Sequence, residues 1–219
     1  MNAATSLAEI AVTHPSAARV FYEHHLDFCC GGRRSLEDAC LERGLDWRDI
    51  LEGIEARERF DLDAPRWDVQ PLSALVDYIV RTYHQRLRRD LPVFIEMARK
   101  VEARHADKPG CPRGLVDELA EIHATVLDHL AKEEQILFPM IVRGMGAQAS
   151  GPVHVMEVEH EHHREHLLRL RALTNNLTPP DIACTTWRAL YAGLEQLEQD
   201  LMNHIHLENN ILFPRALAA

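Results

Sequence analysis

Residues 129–139 read "HLAKEEQILFP", and residues 204–214 read "HIHLENNILFP". Both stretches follow the pattern His-x3-Glu-x4-Phe-Pro. On an α-helix, side chains four positions apart lie on one face, about 40° apart in azimuth and about 6 Å apart along the axis. In the first stretch, His129 and Glu133 can therefore point at one small object, and the second stretch offers the same pair. The repeat predicts two helices that each present an imidazole and a carboxylate to a common centre.

A single histidine precedes each copy of this motif at a matching distance. His84 lies in the helical stretch before the first copy, and His160 lies in the stretch before the second copy, whose own pair is His204 and Glu208. In an antiparallel bundle, the middle residues of all four helices meet at one level of the core. We therefore expect four imidazoles and two carboxylates to converge there.

Four long helices are predicted in residues 72–219. Apolar residues recur there every three or four positions, as on the buried face of an amphipathic helix, and no alternating strand pattern appears. The second helix is expected to run to Phe138, where Pro139 stops or bends it. The third covers about 152–173, and the fourth ends at Phe213. Short connections between long helices are typical of an up-down four-helix bundle.

Residues 1–62 are predicted to form a separate small helical domain, and residues 63–71 a linker to the bundle. Shorter helical pieces begin at Pro15 and at Ser35, and a third spans about 46–57. The serine is followed three positions later by an aspartate, which resembles a capping box. The predicted fold class is therefore all-α, with a small N-terminal helical domain followed by a four-helix bundle.

Composition narrows the class of protein. The chain has 219 residues, of which 46% are hydrophobic and 26% charged, as in an ordinary soluble globular protein. The net charge of −10 argues against nucleic acid or an anionic membrane as the main partner. No apolar run approaches the roughly 18–20 residues of a membrane span, and the N-terminus lacks the features of a signal peptide. Five cysteines, an odd number, make a poor disulfide framework and favour the cytoplasm.

The expected cluster has the donor atoms of a metal site. Ionised carboxylates in a dry core are costly unless they are paired or bound to metal. Four nitrogens and two carboxylates are too many for one tetrahedral zinc ion. Two metals about 3.5–4 Å apart, each with two histidines and both bridged by the glutamates, fit better. Mixed imidazole and carboxylate ligation with open positions favours redox-active iron. Sequence alone leaves open which histidines share a metal.

Isolated features of this kind are usually structural. A lone histidine on an apolar helix face is most often a core or boundary residue, and one His-x3-Glu pair is most often a surface interaction. The segment "HHREH" at 162–166 matches a zinc-protease pattern, but His162 lies about 160° round the helix from His160. His162 and His166 are therefore expected to point outward. A zinc hydrolase would rest on this segment alone. His206 is likewise expected to face away from the centre.

Three other residues are placed outside the metal ligands. Glu134 is expected to face solvent, because it lies about 140° round the helix from the motif histidine. Glu159 is interpreted either as the border of an access channel or as an ordinary surface carboxylate. His105 is too far along a continuous helix to reach the centre.

The ordered set of one histidine, His-x3-Glu, one histidine and His-x3-Glu resembles the hemerythrin-like di-iron bundle. It differs from ferritin-like proteins, whose motif runs Glu-x-x-His. The segment "LDFCCGG" at 26–32, in front of such a bundle, resembles the Repair of Iron Centers family. The phrases "KEEQILFP", "HADKP" and "LENNILFPRAL" are similar to the same family, so the resemblance covers nearly the whole chain. Oxygen-carrying hemerythrins often have a further histidine where this chain has Arg164, which weakens a pure oxygen-carrier interpretation.

The resemblance implies a cytoplasmic stress protein that helps restore iron–sulfur clusters damaged by nitric oxide or peroxide. It implies two non-haem iron ions with an oxo bridge, held by His84, His129, Glu133, His160, His204 and Glu208, with both glutamates bridging. Iron donation from this centre and nitric oxide reduction are alternative mechanisms, so enzymatic turnover is left open. Damaged iron–sulfur proteins are the expected partners, nitric oxide or oxygen the small ligands, and a homodimer one candidate assembly. The alternative function is oxygen or nitric oxide sensing without turnover.

Cys29 and Cys30 are the candidate residues for thiol chemistry, and the family implies that this pair is needed for function. Adjacent cysteines close a disulfide only through a strained ring, so two free thiols or exchange with Cys40 are favoured. The two glycines that follow are expected to expose the turn. The structural alternative is a pair of small core residues beside Phe28.

Overall fold

The computed structural model describes residues 1–60 and 65–219. Every regular element in these two ranges is helical, apart from one isolated antiparallel bridge between Ser6 and Ser35. The predicted all-α class is therefore confirmed. The predicted domain boundary at residue 62 and the first two linker residues, 63 and 64, lie outside the described residues.

Four short helices make up the N-terminal part: α1 Leu7–Thr13, α2 Ala17–Glu23, α3 Leu36–Arg43 and α4 Trp47–Glu58. The sequence predicted three helical pieces here and missed α1, which begins where Ser6 accepts a hydrogen bond from the Glu9 N–H. The predicted cap of α3 is present, because Ser35 accepts from the N–H three residues on at 3.1 Å. Gly44, at φ 68°, ends α3 in the left-handed conformation that favours glycine.

Four long helices follow, and we refer to them as the first to fourth bundle helices. The first comprises Leu72–Ile79, a π-helical turn Val80–His84 and Gln85–His105; the second comprises Leu115–Lys132, a π-helical turn Glu133–Leu137 and Phe138–Val142; the third is Ser150–Leu173; the fourth comprises Thr185–Leu207, a π-helical turn Glu208–Leu212 and Phe213–Leu217.

The second and fourth bundle helices continue past the prolines that were predicted to stop or bend them. Pro139 has no N–H, and in a regular helix its ring would clash with the carbonyl four residues before it. The helix accommodates the proline by widening: the Phe138 N–H donates to the carbonyl of Glu133, five residues back. The fourth bundle helix repeats this arrangement before Pro214. The predicted ends at Phe138 and its counterpart are therefore wrong by one helical turn.

Two apolar clusters fill the bundle, one on each side of the histidine and glutamate level. The larger cluster contains Leu87, Leu130 and Leu201, and the smaller contains Leu137 and Phe213. Along every bundle helix, the histidines and glutamates that the repeated motif singles out fall between residues of these two clusters. The polar layer is therefore sealed above and below by close-packed side chains.

The N-terminal helices have their own core and pack directly on the bundle. Phe21 and Ile54 are fully buried within that core. Met202 of the fourth bundle helix packs against both the N-terminal core and the larger bundle cluster. Val12 packs against the smaller bundle cluster. The two parts of the chain therefore share apolar contacts.

No helix in the described ranges combines the length and the apolar character needed to cross a membrane.

Candidate metal centre

Six side chains meet in the polar layer of the bundle, and all are at most 1% exposed. They are the ones that the repeated motif singled out: His84, His129, Glu133, His160, His204 and Glu208. Each π-helical turn begins or ends at one of them. A widened turn at such a position is a frequent mark of a functional site.

One group of donor atoms forms around His84 and His204. Their Nε2 atoms lie 3.0 Å apart. The Nε2 of His84 lies 3.5 Å from Oε2 of Glu133, and the Nε2 of His204 lies 2.9 Å from Oε1 of Glu208. Two nitrogens and two carboxylate oxygens therefore surround one point.

A second group forms around His129 and His160, whose Nε2 atoms lie 3.2 Å apart. Here Oε1 of Glu133 lies 3.4 Å from the first imidazole, and Oε2 of Glu208 lies 3.2 Å from the second. Each glutamate thus gives one oxygen to each group. The geometry pairs the histidines, which sequence alone could not do, and it places both carboxylates between the two groups.

Hydrogen bonds from behind orient the imidazoles. His84 donates from Nδ1 to Oε1 of Glu134 at 2.7 Å, and His129 donates from Nδ1 to Oε2 of Glu159 at 2.9 Å. An ionised carboxylate can only accept, so the proton must lie on Nδ1. In the neutral imidazole the inward Nε2 then keeps its lone pair free, which is the arrangement of a histidine that binds metal. Burial lowers the pKa of His84 to about 3 and keeps it in this state, whereas His129 also carries a proton on Nε2 until a metal displaces it.

These contacts correct two predictions. Glu134 was expected to face solvent, yet its side chain is only 30% exposed and also accepts from Arg88 at 2.7 Å. Its angle to His129 on its own helix was irrelevant, because it meets His84 on the neighbouring helix. Glu159 accepts from the imidazole of His129 and from Lys132, so it is more than an ordinary surface carboxylate. In the sequence, Glu134 and Glu159 each stand next to a predicted ligand, and this position was the signal that could have identified them.

A third hydrogen bond connects the centre to the N-terminal part. His160 Nδ1 lies 2.8 Å from Oδ1 of Asn209, and the amide of Asn209 donates to the backbone carbonyl of Cys29 at 3.3 Å. The sequence analysis missed Asn209, and only its position beside Glu208 could have suggested it. His204 has no hydrogen-bond partner for Nδ1 among the described residues.

The segment "HHREH" behaves differently from its prediction. His162 is exposed as expected, but His166 is buried and bonded to Glu118 at 2.7 Å. The helix face that carries His166 packs against the second bundle helix. His163 is also buried, with its ring centroid 4.9 Å from that of His129, and burial lowers its pKa. The zinc-hydrolase pairing therefore has no support, because the two predicted ligands face different surroundings.

Two further histidines lie outside the centre. His206 faces away from it, as expected, and packs its ring 5.4 Å from Phe28 of the N-terminal part. His105 lies at the far end of the first bundle helix, where its Nε2 is 3.3 Å from Sγ of Cys184.

Cys29 and Cys30 are free thiols in the described chain, with their sulfurs 3.7 Å apart. The expectation that the glycines expose this turn is wrong for Cys29, which is 5% exposed because the loop packs against the bundle. The hydrogen bond that Cys29 donates to Cys30, burial and the nearby Asp27 carboxylate together raise the pKa of the Cys29 thiol. Cys40 is buried in the N-terminal core.

The buried carboxylates test whether a metal fits. Both side-chain oxygens of Glu133 and Oε2 of Glu208 are buried with no hydrogen-bond partner in the described part of the chain. Leaving such groups without partners costs about 1–3 kcal/mol each, and more when they are charged. The donor set of imidazole nitrogens and carboxylate oxygens suits iron. The residues therefore fit a pair of cations, which would satisfy the oxygens that the protein leaves bare.

The pKa values of the same residues also indicate that the polar layer suits metal cations. Burial and the charge of Glu208 raise the pKa of Glu133 to about 7. Burial acts to raise the pKa of Glu208 as well, but His204 and His160 outweigh it and hold that pKa well below its usual range. Burial tends to lower the pKa of His129, but Glu133 overcomes this and raises it to about 10. A metal ion must therefore displace at least one proton from this layer at neutral pH.

Comparison with known proteins finds a matching domain family for each of the two parts of the chain. The hemerythrin HHE cation binding domain matches residues 75–216, and a domain of unknown function (DUF542, ScdA_N) matches residues 3–58. The iron-sulfur cluster repair protein YtfE of Yersinia pseudotuberculosis serotype O:1b (strain IP 31758) is 50% identical over 212 residues, which is 97% of this chain and 96% of that protein. The protein of the same name from Yersinia pestis (strain Pestoides F) is 49% identical with the same coverage of both chains.

Proposed function

We propose, since the chain belongs to the hemerythrin HHE cation-binding family together with the YtfE iron–sulfur cluster repair proteins, that it restores iron–sulfur clusters damaged by oxidative and nitrosative stress. Its partners in this proposal are the damaged iron–sulfur proteins, and its small ligands are nitric oxide or oxygen. Assembly as a homodimer and a place in the cytoplasm remain predictions.

The cofactor in this proposal is a pair of iron ions in the bundle. His84 and His204 would hold one ion, and His129 and His160 would hold the other. Each carboxylate of the repeated motif would offer one oxygen to each ion. The proposed ligands are His84, His129, Glu133, His160, His204 and Glu208. Bound iron would supply redox-active, cationic positions at which small ligands can bind.

The observation that carries this proposal is the pair of buried, facing glutamates with bare oxygens. Two carboxylates would leave two ferrous ions with a net charge of about +2. This positive charge would favour the binding of an anionic ligand at the ions. The nearby imidazoles offset part of this cost as protonated partners, but the structure leaves both oxygens of Glu133 and one of Glu208 without a hydrogen bond among the described residues.

The protein's own residues orient the ligands and exclude water. Phe138 stacks on His84 with centroids 5.7 Å apart, and Phe213 stacks on His160 at 6.0 Å. Tyr83 stacks on the ring of His204, with the ring centroids 5.8 Å apart. These rings close the polar layer on the side of the smaller apolar cluster.

Iron content tests the ligand set. The full chain, reconstituted anaerobically with ferrous iron and desalted, is expected to keep two iron ions per chain. Glu208→Gln removes a bridging charge at nearly constant volume and should keep at most one. Glu195→Gln, an exposed carboxylate on the same helix, is the matched control and should keep two. Equal iron content in both variants would contradict the proposed ligands.

Repair is tested separately. A purified iron–sulfur enzyme is inactivated with nitric oxide, the gas is removed, and the iron-loaded or iron-free chain is added without other iron. The iron-loaded chain should restore activity, while the iron-free chain and Glu208→Gln should not. Failure of the iron-loaded chain under conditions where free ferrous iron and sulfide succeed would overturn the repair function.

Nitric oxide chemistry decides between the mechanisms. Repeated release of nitrous oxide from the iron-loaded chain, supplied with a chemical reductant that provides two electrons for each nitrous oxide formed, would establish reductase turnover. A stable nitric oxide adduct without product and without repair would instead favour sensing, with the N-terminal part as the output module.

A further inference from the structure

A second group of donor atoms lies in the N-terminal loop, outside the polar layer of the bundle. The Sγ atoms of Cys29 and Cys30 are 3.7 Å apart, and Sγ of Cys29 is 3.5 Å from Oδ1 of Asp27. In a tetrahedral site, metal–sulfur distances of about 2.3 Å and metal–oxygen distances of about 2.0 Å separate two sulfurs by about 3.8 Å and a sulfur from an oxygen by about 3.5 Å. The two measured distances match this spacing, and ligand atoms of all three residues lie within 4.8 Å of one another.

The loop holds these atoms in place before any ion binds. Oδ1 of Asp27 accepts from the backbone N–H of Cys30 at 3.1 Å, and Oδ2 pairs with Arg164 of the third bundle helix at 2.6 Å. Any side chain at Gly32 would place its Cβ 2.5 Å from the carbonyl of Phe28, so the turn requires glycine there. The carboxylate is therefore fixed with one oxygen turned toward the sulfurs.

The structure holds this pair as two separate thiols. The sulfurs lie 3.7 Å apart, whereas a disulfide needs about 2.05 Å. Cys29 is also a poor free thiolate, because its neighbour, burial and Asp27 raise its pKa. A divalent cation would displace one proton from each thiol. Two thiolates and a carboxylate beside Arg164 leave two negative charges, which a divalent cation neutralises.

The group has both an opening and a connection to the bundle. Asp27 and Cys30 line a surface cleft of about 410 Å³, so a fourth ligand can enter from solvent. On the other side, Sγ of Cys30 lies 3.8 Å from the backbone carbonyl of His160. The group therefore lies between solvent and the helix that carries one of the proposed iron ligands.

We propose that Asp27, Cys29 and Cys30 form a mononuclear site for a thiophilic divalent cation, separate from the iron pair in the bundle. The identification of that cation as ferrous iron, in transit between the bundle and a damaged cluster, rests on the proposed function. The site itself rests only on the loop.

Cobalt(II) tests the site, because sulfur ligation to this ion gives intense near-ultraviolet absorption and the bundle ligands contain no sulfur. The iron-loaded full chain is reduced, kept anaerobic and titrated with Co²⁺. One equivalent of Co²⁺ should give the sulfur-to-cobalt band and release two protons. Cys30→Ala, at a half-exposed position, should abolish the band and keep the iron. Asp27→Asn should weaken Co²⁺ binding about tenfold or more.

The matched control is Cys184→Ala, which removes an exposed cysteine at the start of the fourth bundle helix and should leave the band intact. No band in the parent chain, or a band that persists in Cys30→Ala, overturns the site. Either result leaves the repair assay untouched. Conversely, if repair fails and the band appears, the proposed function falls while the cation site stands.

Discussion

The outer nitrogen of each imidazole determines what the inner nitrogen can do. Glu134 and Glu159 hold the protons of two histidines on Nδ1, and Asn209 does the same for a third with a neutral side chain. A carboxylate partner makes an imidazole more basic than an amide partner does. The four imidazoles are therefore alike in position and unlike in electronic character.

Asn209→Ala is expected to weaken the iron pair without abolishing it. The substitution frees His160 to rotate and breaks the connection to the carbonyl of Cys29, and loss of such a partner typically costs 10–100-fold in metal affinity. Iron should therefore transfer to a chelator roughly tenfold or more faster, and the absorption spectrum of the iron-loaded chain should shift.

Asn210→Ala is the control for this substitution. Asn210 donates to the carbonyl of Phe28 and contacts His206, but it touches none of the proposed ligands. Its loss should leave the spectrum and the transfer rate unchanged. If both variants behave alike, the effect belongs to the docking of the loop and the role given to Asn209 is wrong.

At the residue scale, the sequence predicted the site residues that belong to a repeated pattern. It did not predict the residues whose contacts are not repeated along the chain. The two copies of His-x3-Glu singled out the side chains that the fold brings together. The contacts of Glu134, Asn209 and Asp27 are not repeated along the chain, and such contacts leave no periodic signal. Glu134 was even assigned to solvent, because the helix geometry used for it describes only its own helix.

At the element scale, the wide turns matter most. A π-helical turn holds more residues than an α-helical turn, so it rotates the side chains that follow it relative to those before. Glu133 and Glu208 each open such a turn directly after a regular helical stretch. Each proline motif can thus remain in the helix without breaking the face that carries the histidine and the glutamate. Sequence rules treat proline as a stop, and they therefore placed the helix ends too early.

A close approach between two elements gives a testable prediction. Gly146 lies in a 3₁₀ turn between the second and third bundle helices, and a Cβ there would overlap the backbone carbonyl oxygen of Ala216. Backbone cannot move aside as a flexible side chain can, so Gly146→Ala should destabilise the chain by about 1–3 kcal/mol in urea unfolding.

Gly151→Ala is the matched control. It lies in the third bundle helix, and an added Cβ meets no atom within 4 Å in the described part of the chain. That variant should unfold at the same urea concentration or a higher one, with a gain of up to about 1 kcal/mol from helix propensity. Equal destabilisation by both substitutions would mean that the close approach is not tight.

At the scale of the whole molecule, the polar layer couples metal binding to stability. In the metal-free chain, Glu133 and Glu159 support a proton on His129, whose pKa is raised to about 10. A raised pKa in the folded state contributes stability that is complete below the unfolded value of about 6.5 and is lost as pH rises toward 10. The bound metal removes this proton, so the loaded chain has no such loss.

The stability gap between the iron-loaded and iron-free chains is therefore expected to widen from pH 7 to pH 8.5. One proton accounts for at most about 1.4 kcal/mol per pH unit. Urea unfolding of both forms under anaerobic conditions measures the gap. Thiols and tyrosines titrate in both forms and cancel in the difference. A gap that narrows with rising pH would contradict the protonation assigned to His129.

The overall architecture was accessible from sequence because it rests on repetition and composition. Long amphipathic stretches predicted the bundle, and the spacing of the motif predicted where its polar layer lies. The docking of the N-terminal helices was not accessible, since it depends on single contacts such as Met202 between two cores and Arg164 with Asp27. Arg164, noted in the sequence only as a missing histidine, turns out to hold the cysteine loop.

The cysteine loop is hydrogen-bonded through Asn209 to one half of an otherwise twofold arrangement of histidines and glutamates. Through Asn209 it reaches the group of His129 and His160, whereas the imidazole of His204 has no comparable bond among the described residues. A pair that is matched in its donors is thus unequal in its neighbours. The two ions should therefore be released one after the other, in a fast and a slow phase. One ion can then be donated while the other stays bound in the bundle.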